Sequence, residues 1–168
     1  MTAIFITATG TDIGKTYVAA ALIRALRAQG RAVDAFKPAL SGYDAFEGSD
    51  AAVLLAALGR PASDLGQIAP LRFAAPRAAP AASRLGDKTV ALSDLVAACR
   101  ARMTPGKVLI IEGAGGVMSP IAAEATNLDL ICELKTPVVV VTGSYLGAVS
   151  HILTALEALW SRGVAIAA

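Results

Sequence analysis

Aromatic residues make up only 5% of this 168-residue sequence, and its charged residues, 17% of the total, leave a formal net charge of +2. The lysines and arginines are scattered along the chain. They form no basic stripe of the kind that marks a nucleic-acid-binding surface. We therefore expect no nucleic-acid partner, and any anionic ligand has to be met by a few local charges.

Long apolar runs are also missing. No run approaches the roughly 18 residues that a membrane-spanning helix requires, and the N-terminus shows neither a basic region nor a plausible signal cleavage site. The two cysteines, Cys99 and Cys132, have no metal-binding or redox spacing. We expect both to be small core or near-core residues in a reducing compartment. These features predict a soluble, cytoplasmic protein with no membrane partner.

Aliphatic residues are abundant, since 55% of the sequence is hydrophobic and the chain is rich in Ala, Val, Leu and Ile. A chain of this length fits one domain with a sizeable core. Continuous apolar runs, such as residues 108–111 and 138–141, suit parallel strands that are covered on both faces. The expected fold is a three-layer α/β/α domain over residues 1–168 with a mainly parallel central sheet.

The segment Ala8–Thr16 (ATGTDIGKT) follows the apolar run 3–6 and precedes a helix-like stretch. In such a loop, successive backbone N–H groups and the start of the following helix converge on phosphate oxygens. Lys15 adds a mobile positive charge, and the hydroxyl of Thr16 suits a magnesium ion. The segment therefore predicts a phosphate-binding loop and a P-loop NTPase type of fold.

The loop departs from the usual pattern, because a glycine is expected five residues before Gly14 and Thr9 stands there. If the first loop position needs a positive φ, Ala8 carries a strain of about 1 kcal/mol. The alternative is a strand-to-helix turn that binds nothing. A lysine at the first turn of a helix opposes the helix dipole, however, and so favours an anion site.

Hydrophobic periodicity and turn residues predict the remaining elements. Helices are expected at residues 17–29, 51–58, 92–103, 127–133 and from the turn 143–147 to about 162. Further strands are expected at residues 33–36, 68–73, 107–112, 137–142 and 164–168, with an irregular Pro- and Ala-rich loop at 74–83. Gly30 should end the first helix, and Ser49 should cap the second.

Several polar residues should meet at the carboxyl edge of the sheet, where open α/β sheets bind ligands. Lys37 and Ser41 follow the strand at 33–36, and Glu112 ends the strand at 107–112. Asp50 begins a helix. Hard oxygen ligands suit Mg²⁺, so Thr16, Asp50 and Glu112 are candidate metal ligands.

Each of these residues also has an ordinary explanation. Lys37 could be an exposed lysine at a strand end, and Asp50 could serve only the dipole of its helix. The single histidine, His151, is expected to be a capping or packing residue rather than a catalytic base.

In order and rough spacing, five segments resemble the dethiobiotin synthetase family, and together they span nearly the whole chain. Each segment alone is a weak signal, but five in the same order are specific. The segments are the loop 9–16, Lys37-Pro38 with Ser41-Gly42, Ser49-Asp50, Glu112-Gly113-Ala114-Gly115-Gly116, and Leu146-Gly147 before a helix.

The resemblance implies an ATP- and Mg²⁺-dependent ligase of biotin biosynthesis. In that family, CO₂ carboxylates 7,8-diaminopelargonic acid to a carbamate, whose oxygen attacks the γ-phosphate of ATP to give a carbamic-phosphoric anhydride. The second amine then closes the cyclic urea and expels phosphate. An anionic carbamate and a triphosphate must be brought together, so their charge has to be neutralised from several sides.

The resemblance also implies roles for individual residues. Lys15, Lys37 and Thr11 would be catalytic, with Lys15 on the β- and γ-phosphates and Lys37 on the carbamate and the γ-phosphate. Nucleotide contacts would come from Asp12, Ile13, Gly14, Lys15, Thr16 and Tyr17. The metal would be held by Thr16, Asp50 and Glu112. Substrate contacts would come from Thr11, Lys37, Ser41, Gly115, Leu146, Gly147 and Ser150.

The family acts as a homodimer in which the substrate carboxylate lies at a helix N-terminus of the neighbouring subunit. That turn would be residues 146–150, whose N–H groups suit a carboxylate. The sequence departs from the family pattern at Ala8, where glycine is usual, at Asp12, where glutamate is common, and at Ser150, where asparagine is common. The family's segment around the nucleotide base, which follows residues 164–168, is expected to be lacking, so base preference stays open.

Two other functions share parts of the pattern. A corrin-type amidotransferase synthetase domain has the loop and an acidic residue before a glycine-rich turn, but it usually carries a glutamine-cleaving domain for which this chain has no room. A partition-type switch ATPase places a second lysine at the start of the phosphate loop, where Gly10 stands. Many such ATPases also carry a terminal amphipathic helix, which the sequence does not show.

Overall fold

The computed structural model of the chain describes residues 2–74 and 90–168. Most of the loop predicted at residues 74–83 lies outside these residues. The described helices are α1 (Lys15–Ala28), α2 (Asp50–Leu58), α3 (Leu65–Ile68), α4 (Leu92–Arg102), α5 (Asn127–Leu134) and α6 (Ala148–Trp160), with a 3₁₀ turn at Ala62–Asp64. The described strands are β1 (Thr2–Ala8), β2 (Val33–Phe36), β3 (Ala39–Ser41), β4 (Leu71–Phe73), β5 (Val108–Glu112), β6 (Pro120–Ala122), β7 (Ala125–Thr126) and β8 (Val138–Val141).

Four parallel strands form the central sheet in the order β2–β5–β1–β8. Phe5 of β1 pairs with Ile111 of β5 on one side and with Val138 of β8 on the other. β1 and β5 therefore form the middle of the sheet, and their carboxyl ends, at Ala8 and Glu112, lie next to each other.

Alternate residues of the strands face opposite layers of helices. In β5, Val108 and Ile110 belong to a buried cluster with residues of α1 and α2. Leu109 and Ile111 belong to a second cluster with residues of α4, α5 and α6. Covering on both faces explains why these strands are continuously apolar in sequence, and it confirms the predicted α/β/α fold with a mainly parallel sheet.

The predicted helix ends are also present. Gly30, with φ of 73°, follows the C-cap of α1. The hydroxyl of Ser49 accepts a hydrogen bond from the backbone N–H of Ala52 (3.2 Å) and so caps α2. Ser49 fixes the start of α2 because it satisfies a backbone N–H of the first turn, and Gly30 fixes the end of α1 because it redirects the backbone after the last turn.

Three predicted strands differ from the structure. Ile68 ends α3, and only Leu71–Phe73 form a strand, which pairs with β3 in a separate two-stranded parallel sheet. Pro70 lies between them and has no N–H to donate to a ladder. β8 was expected to be fully buried, but Val139 and Val140 are only half-buried. The reason is that β8 is the outer strand of the four.

The third difference lies at residues 164–168, which form a parallel bridge to β8 rather than a full strand. The N–H of Val138 donates to the carbonyl of Ala165 (2.9 Å), and the N–H of Ala167 donates to the carbonyl of Val138 (2.8 Å). The predicted extended segment is therefore present, and it lies beside β8.

Both cysteines are free thiols, and they lie in the helices of one layer. Cys99 is buried, and burial raises the pKa of its thiol to about 12. Cys132 is half-buried against the same core cluster. Both therefore have the expected packing role.

Of the helices in residues 2–74 and 90–168, none combines the length and hydropathy of a membrane span.

Candidate active site

The phosphate-loop segment joins the end of β1 to the start of α1. Gly14 is the N-cap of α1 with φ of 100°, and Asp12 has φ of 55°. Ala8 is the last residue of β1, fully buried, and has no positive φ. The left-handed positions of the loop therefore lie at residues 12 and 14, and the strain considered for Ala8 is not present.

Lys15 is the first residue of α1, and its side chain folds back over the loop. Its Nζ donates to the carbonyl of Gly10 at 2.9 Å, and the residue is buried. Burial, together with the positive charge of Lys37, lowers the pKa of Lys15. Because no carboxylate of residues 2–74 or 90–168 lies within 4 Å of its Nζ as an ion-pair partner, this ammonium is well placed to meet an anion.

Four side chains from four parts of the fold meet beside the loop. Lys37 Nζ lies 2.6 Å from Asp50 Oδ2 and 2.6 Å from Glu112 Oε1. The hydroxyl of Thr16 lies 2.8 Å from Asp50 Oδ1 and 2.8 Å from Glu112 Oε1. Since this hydroxyl has one hydrogen, it can donate to only one of the two carboxylates at a time.

Position in the fold explains this meeting. Glu112 ends β5, Lys37 directly follows the neighbouring strand β2, and Thr16 and Asp50 lie in the first turns of α1 and α2. These chain positions come together at the carboxyl edge of the sheet. That is the edge at which parallel α/β sheets bind ligands.

The charges of the cluster are strongly coupled. Lys37 and Glu112 are almost completely buried, with 3% and 1% of their side chains exposed. Burial acts to lower the pKa of Lys37, but the charges of Glu112 and Asp50 outweigh it and raise that pKa. Burial acts to raise the pKa of Asp50, but the charge of Lys37 outweighs it and lowers that pKa. The ionised forms of both residues are therefore favoured.

The donor set fits a hard divalent cation. Thr16, Asp50 and Glu112 supply a hydroxyl and two carboxylates, the oxygen ligands that Mg²⁺ prefers, and Mg²⁺ usually keeps several waters. Glu112 Oε2 is buried and has no hydrogen-bond partner among the described residues. Residues 2–74 and 90–168 contain no group of three or more His, Cys, Asp or Glu side chains suited to a metal. Any ion would therefore depend on Thr16 and on water besides the two carboxylates.

Most of the predicted site residues surround one cavity of about 350 Å³. Leu40 and Ala114, which the sequence did not single out, line it as well. The predicted residues that line the cavity are Thr11, Asp12, Gly14, Lys15, Thr16, Lys37, Ser41, Asp50, Glu112 and Gly115. Their individual roles stay predictions.

Two predicted nucleotide contacts do not line this cavity. Ile13 is half-buried and packs against the core cluster that includes α1 and α2, and Tyr17 is 76% exposed on α1. Backbone contacts from residue 13 are compatible with this position, because P-loops hold phosphate through main-chain N–H groups.

The glycine-rich turn after β5 packs directly against the phosphate loop. The N–H of Val117 donates to the carbonyl of Ala8 (2.9 Å). A Cβ at Gly116 would lie 3.1 Å from that carbonyl oxygen and 3.2 Å from the backbone nitrogen of Gly10. Glycine is needed here because the two backbones approach so closely.

Asn127 holds the same turn and was not predicted to have a role beyond starting a helix. Its Nδ2 lies 2.7 Å from the carbonyl of Ala114 and 2.8 Å from that of Gly116, and its side chain is fully buried. A Cβ at Gly113 would lie 2.7 Å from Asn127 Oδ1. No sequence signal separates such an asparagine from an ordinary residue at a helix start.

The turn before α6 lies apart from the cavity of Lys15 and Lys37. Leu146 is fully exposed, Gly147 is the N-cap of α6 with φ of 93°, and Ser150 is exposed in the first turn. His151 is exposed in α6, and its Nδ1 lies 2.9 Å from the hydroxyl of Tyr145; its capping or packing role stays a prediction. A second cavity of about 480 Å³ lies between the phosphate loop and α6.

A family model described as an AAA domain matches residues 2–168. Three similar proteins are each named ATP-dependent dethiobiotin synthetase BioD. The protein from Caulobacter vibrioides (strain NA1000 / CB15N) is 52% identical, with 100% of this chain and 78% of that protein covered. The protein from Phenylobacterium zucineum is 51% identical, with 100% and 74% covered. The protein from Methylobacterium nodulans is 48% identical, with 98% and 77% covered.

A solved structure, the cell division protein ftsY from Thermotoga maritima, matches this chain weakly. It is 17% identical, with a TM-score of 0.46, and the match covers 96% of this chain and 49% of that chain. That likeness is too weak to support any conclusion about function.

Proposed function

This chain belongs to the family of ATP-dependent dethiobiotin synthetases, and on that basis we propose that it makes dethiobiotin from 7,8-diaminopelargonic acid, CO₂ and ATP. The reaction would begin with a carbamate on one amine of the diamine. An oxygen of the carbamate attacks the γ-phosphorus, and the bond from that phosphorus to ADP breaks. The second amine then attacks the carbamate carbon, loses a proton and expels phosphate as the cyclic urea forms.

The observation that carries this proposal is the pair of lysines on the wall of one cavity of about 350 Å³. The reaction brings two anions, a carbamate and a triphosphate, into contact, and this is unfavourable unless positive charge surrounds both. Lys15 lies at the N-terminus of α1, where phosphate oxygens bind backbone N–H groups. Lys37 follows β2 at the same edge of the sheet, two strands away from β1, so the two ammonium groups would approach the reacting oxygens from different sides.

The remaining polar groups of the cavity fit the organic substrate. Thr11 and Ser41 offer hydroxyls that would hydrogen-bond the carbamate end of the diamine, and Gly115 lines the same cavity without a side chain. These groups orient the carbamate, whereas Lys15 and Lys37 stabilise charge. None of them has to accept a proton in the phosphoryl step, because the attacking carbamate oxygen is already anionic.

Thr16, Asp50 and Glu112 would hold a magnesium ion. When bound, such an ion supplies positive charge beside the phosphate oxygens. The buried Glu112 Oε2, which has no partner among the described residues, supports a cation here.

We further propose that the enzyme is a homodimer in which α6 of each subunit faces the other. Apolar side chains are exposed along this helix at Val149, Leu153 and Trp160, and Leu146 precedes it. A contiguous exposed apolar face usually marks an interaction surface. Leu146, Gly147 and Ser150 of one subunit would then hold the substrate carboxylate for the other, at a helix N-terminus that has no side-chain cap.

The setting would be the cytoplasm. ATP is available there, and the free thiols of Cys99 and Cys132 suit a reducing compartment.

The proposal is tested by measuring ADP release and, by mass spectrometry, dethiobiotin, in the presence of 7,8-diaminopelargonic acid, bicarbonate, ATP and Mg²⁺. We expect both products, in equal amounts, and neither when the diamine is omitted. ADP release that ignores the diamine would contradict the proposal and favour a switch-type ATPase.

A further inference from the structure

The Lys37 ammonium lies on the same carboxylates that the proposed function assigns to the metal. It is 2.6 Å from Asp50 Oδ2 and 2.6 Å from Glu112 Oε1. The Thr16 hydroxyl shares Glu112 Oε1 at 2.8 Å. Asp50 and Glu112 therefore contact the ammonium directly, and Thr16 contacts the same Glu112 oxygen as the ammonium does.

A magnesium ion on Asp50 and Glu112 would lie close to this ammonium and would be repelled by it, even if the ion used the unpartnered Glu112 Oε2 and the ammonium stayed on Oε1. Mg²⁺ lies about 2.0–2.1 Å from its oxygen ligands, and the ammonium is only 2.6 Å from the same carboxylates. The two cations would be neighbours in a largely buried site, where charges are poorly screened. This repulsion favours displacement of one cation by the other.

We propose that Lys37 competes with the divalent cation for Asp50 and Glu112, so that metal binding releases the Lys37 ammonium toward the substrates. Lys37 then has two successive roles: counter-ion of the metal ligands first, and contact to the carbamate and the γ-phosphate afterwards. This competition rests on the proposed function, because the metal ligands Asp50 and Glu112 are taken from that proposal. It adds an order of events, in which the metal makes the lysine available.

Burial supports this coupling. Glu112 is 1% exposed and Lys37 is 3% exposed, and an ionised carboxylate is not buried without a counter-ion at an acceptable cost. Removal of Lys37 from Glu112 therefore needs another cation in its place. A divalent cation can serve, and it leaves the lysine free to pair with an incoming anion.

The test is a titration of nucleotide-free protein with Mn²⁺, in which electron paramagnetic resonance measures the unbound ion. Lys37→Met removes the competing ammonium, and we expect it to tighten Mn²⁺ binding on the order of tenfold. Lys15→Met is the matched control. It also removes one buried positive charge near the cluster, but its ammonium contacts the carbonyl of Gly10 and neither carboxylate.

The outcomes separate the competition from the metal site itself. A gain in Mn²⁺ affinity that is clearly larger for Lys37→Met than for Lys15→Met supports the competition. Equal gains for the two variants, or no gain, would overturn it while leaving the metal site in place. Failure of the wild type and of every variant to bind Mn²⁺ would overturn both the competition and the proposed metal site.

Stability of the variant gives a second, independent measurement. Lys37→Met leaves Glu112 buried without its counter-ion, so Mn²⁺ should raise its melting temperature more than that of the wild type. Should Lys37→Met fail to fold without metal, Lys37→Gln replaces it, because the amide keeps a hydrogen-bond donor but no charge. A melting temperature that responds to Mn²⁺ as in the wild type would count against the competition.

Discussion

At the scale of single residues, Lys37 is the side chain on which the most is proposed to depend. Lys37→Ala should lower kcat about 10²–10³-fold, because it removes the charge aimed at the carbamate and the γ-phosphate. Nucleotide should still bind, since the phosphate loop and Lys15 are untouched. The check is kcat from ADP release together with nucleotide affinity from calorimetry.

Lys107→Ala is the control for this prediction. Lys107 is an exposed lysine just before β5, at the opposite end of the strand that Glu112 terminates. Its removal changes the net charge equally but leaves the cavity intact. Wild-type turnover in Lys37→Ala would remove Lys37 from the mechanism.

Asp50 gives the site a pH dependence whose sign follows from its pKa. Burial opposes ionisation of Asp50, but the charge of Lys37 outweighs burial and lowers the pKa below its ordinary value. A carboxyl whose pKa is lowered by folding stabilises the fold at neutral pH, and this contribution is lost as the pH falls through the ordinary value, about 3.9, toward the folded value.

Asp50→Asn should therefore be less stable than the wild type at pH 7, and the difference should be constant above about pH 5 and shrink on acidification. Urea unfolding at a series of pH values measures it. Thr16 and Glu112 keep their own contact in this variant, so the comparison isolates Asp50. A difference that grows as the pH falls would show that Lys37 does not control the ionisation of Asp50.

At the scale of elements, the glycine-rich turn after β5 depends on one side chain of α5. Asn127 donates to the carbonyls of Ala114 and Gly116. The same turn packs against the phosphate loop, because the N–H of Val117 donates to the carbonyl of Ala8. Asn127→Ala leaves these carbonyls without their partner at a cost of about 1–3 kcal/mol. We expect faster hydrogen exchange at residues 114–119 and a higher KM for the diamine, since Gly115 lines the cavity proposed to bind it.

Thr126→Ala is the matched control for this turn. Thr126 caps the same helix α5 through the backbone N–H of Asp129, so its loss should cost about 1 kcal/mol of stability. It makes no contact with the carbonyls of the turn among the described hydrogen bonds. A change in exchange and KM that is equal in both variants would mean that Asn127 acts only through the stability of α5.

The elements that the sequence predicts well are those with a strong local signal. β1, β5 and β8 are continuous apolar runs, and α1 and α2 carry a glycine stop or a serine cap. β3 and the β6–β7 hairpin, which are two or three residues long, were not predicted, and β4 was predicted three residues too long at its start. Strands this short have no periodicity of their own, and their pairing depends on where neighbouring elements place them.

For the site, the sequence predicts that Lys37 and Glu112 reach one edge of the sheet, but not that they touch. Their contact requires β2 to lie directly beside β5, a neighbour that the chain reaches only 75 residues later. Strand order is a property of the packed sheet, so the hydrogen bonds of Lys37, Asp50 and Thr16 became visible only in the structure. Asn127 was missed because its contacts with Ala114 and Gly116 depend on how α5 packs against the turn after β5, and no local pattern reports that packing.

At the scale of the whole molecule, the two halves of the proposed substrate site lie apart on one chain. Lys15 and Lys37 line one cavity, whereas Leu146 and Ser150 are exposed at the start of α6 and do not line it. A single substrate can use both sets if they come from different subunits. In a two-fold symmetric dimer, each subunit would then contribute to both sites.

Mixed dimers test this arrangement. Lys37→Ala disables one half of the site, and Ser150→Glu disables the other by placing a negative charge where the substrate carboxylate should bind. Glutamate in the first turn of α6 should not harm folding, because negative charge is favourable at a helix N-terminus.

Each variant alone should be nearly inactive. After the two are unfolded and refolded together in equal amounts, half of the dimers are mixed and each has one intact site, so about a quarter of wild-type activity should return. A mixture that stays inactive, or a wild-type chain that sediments as a monomer while active, would contradict a site shared between subunits.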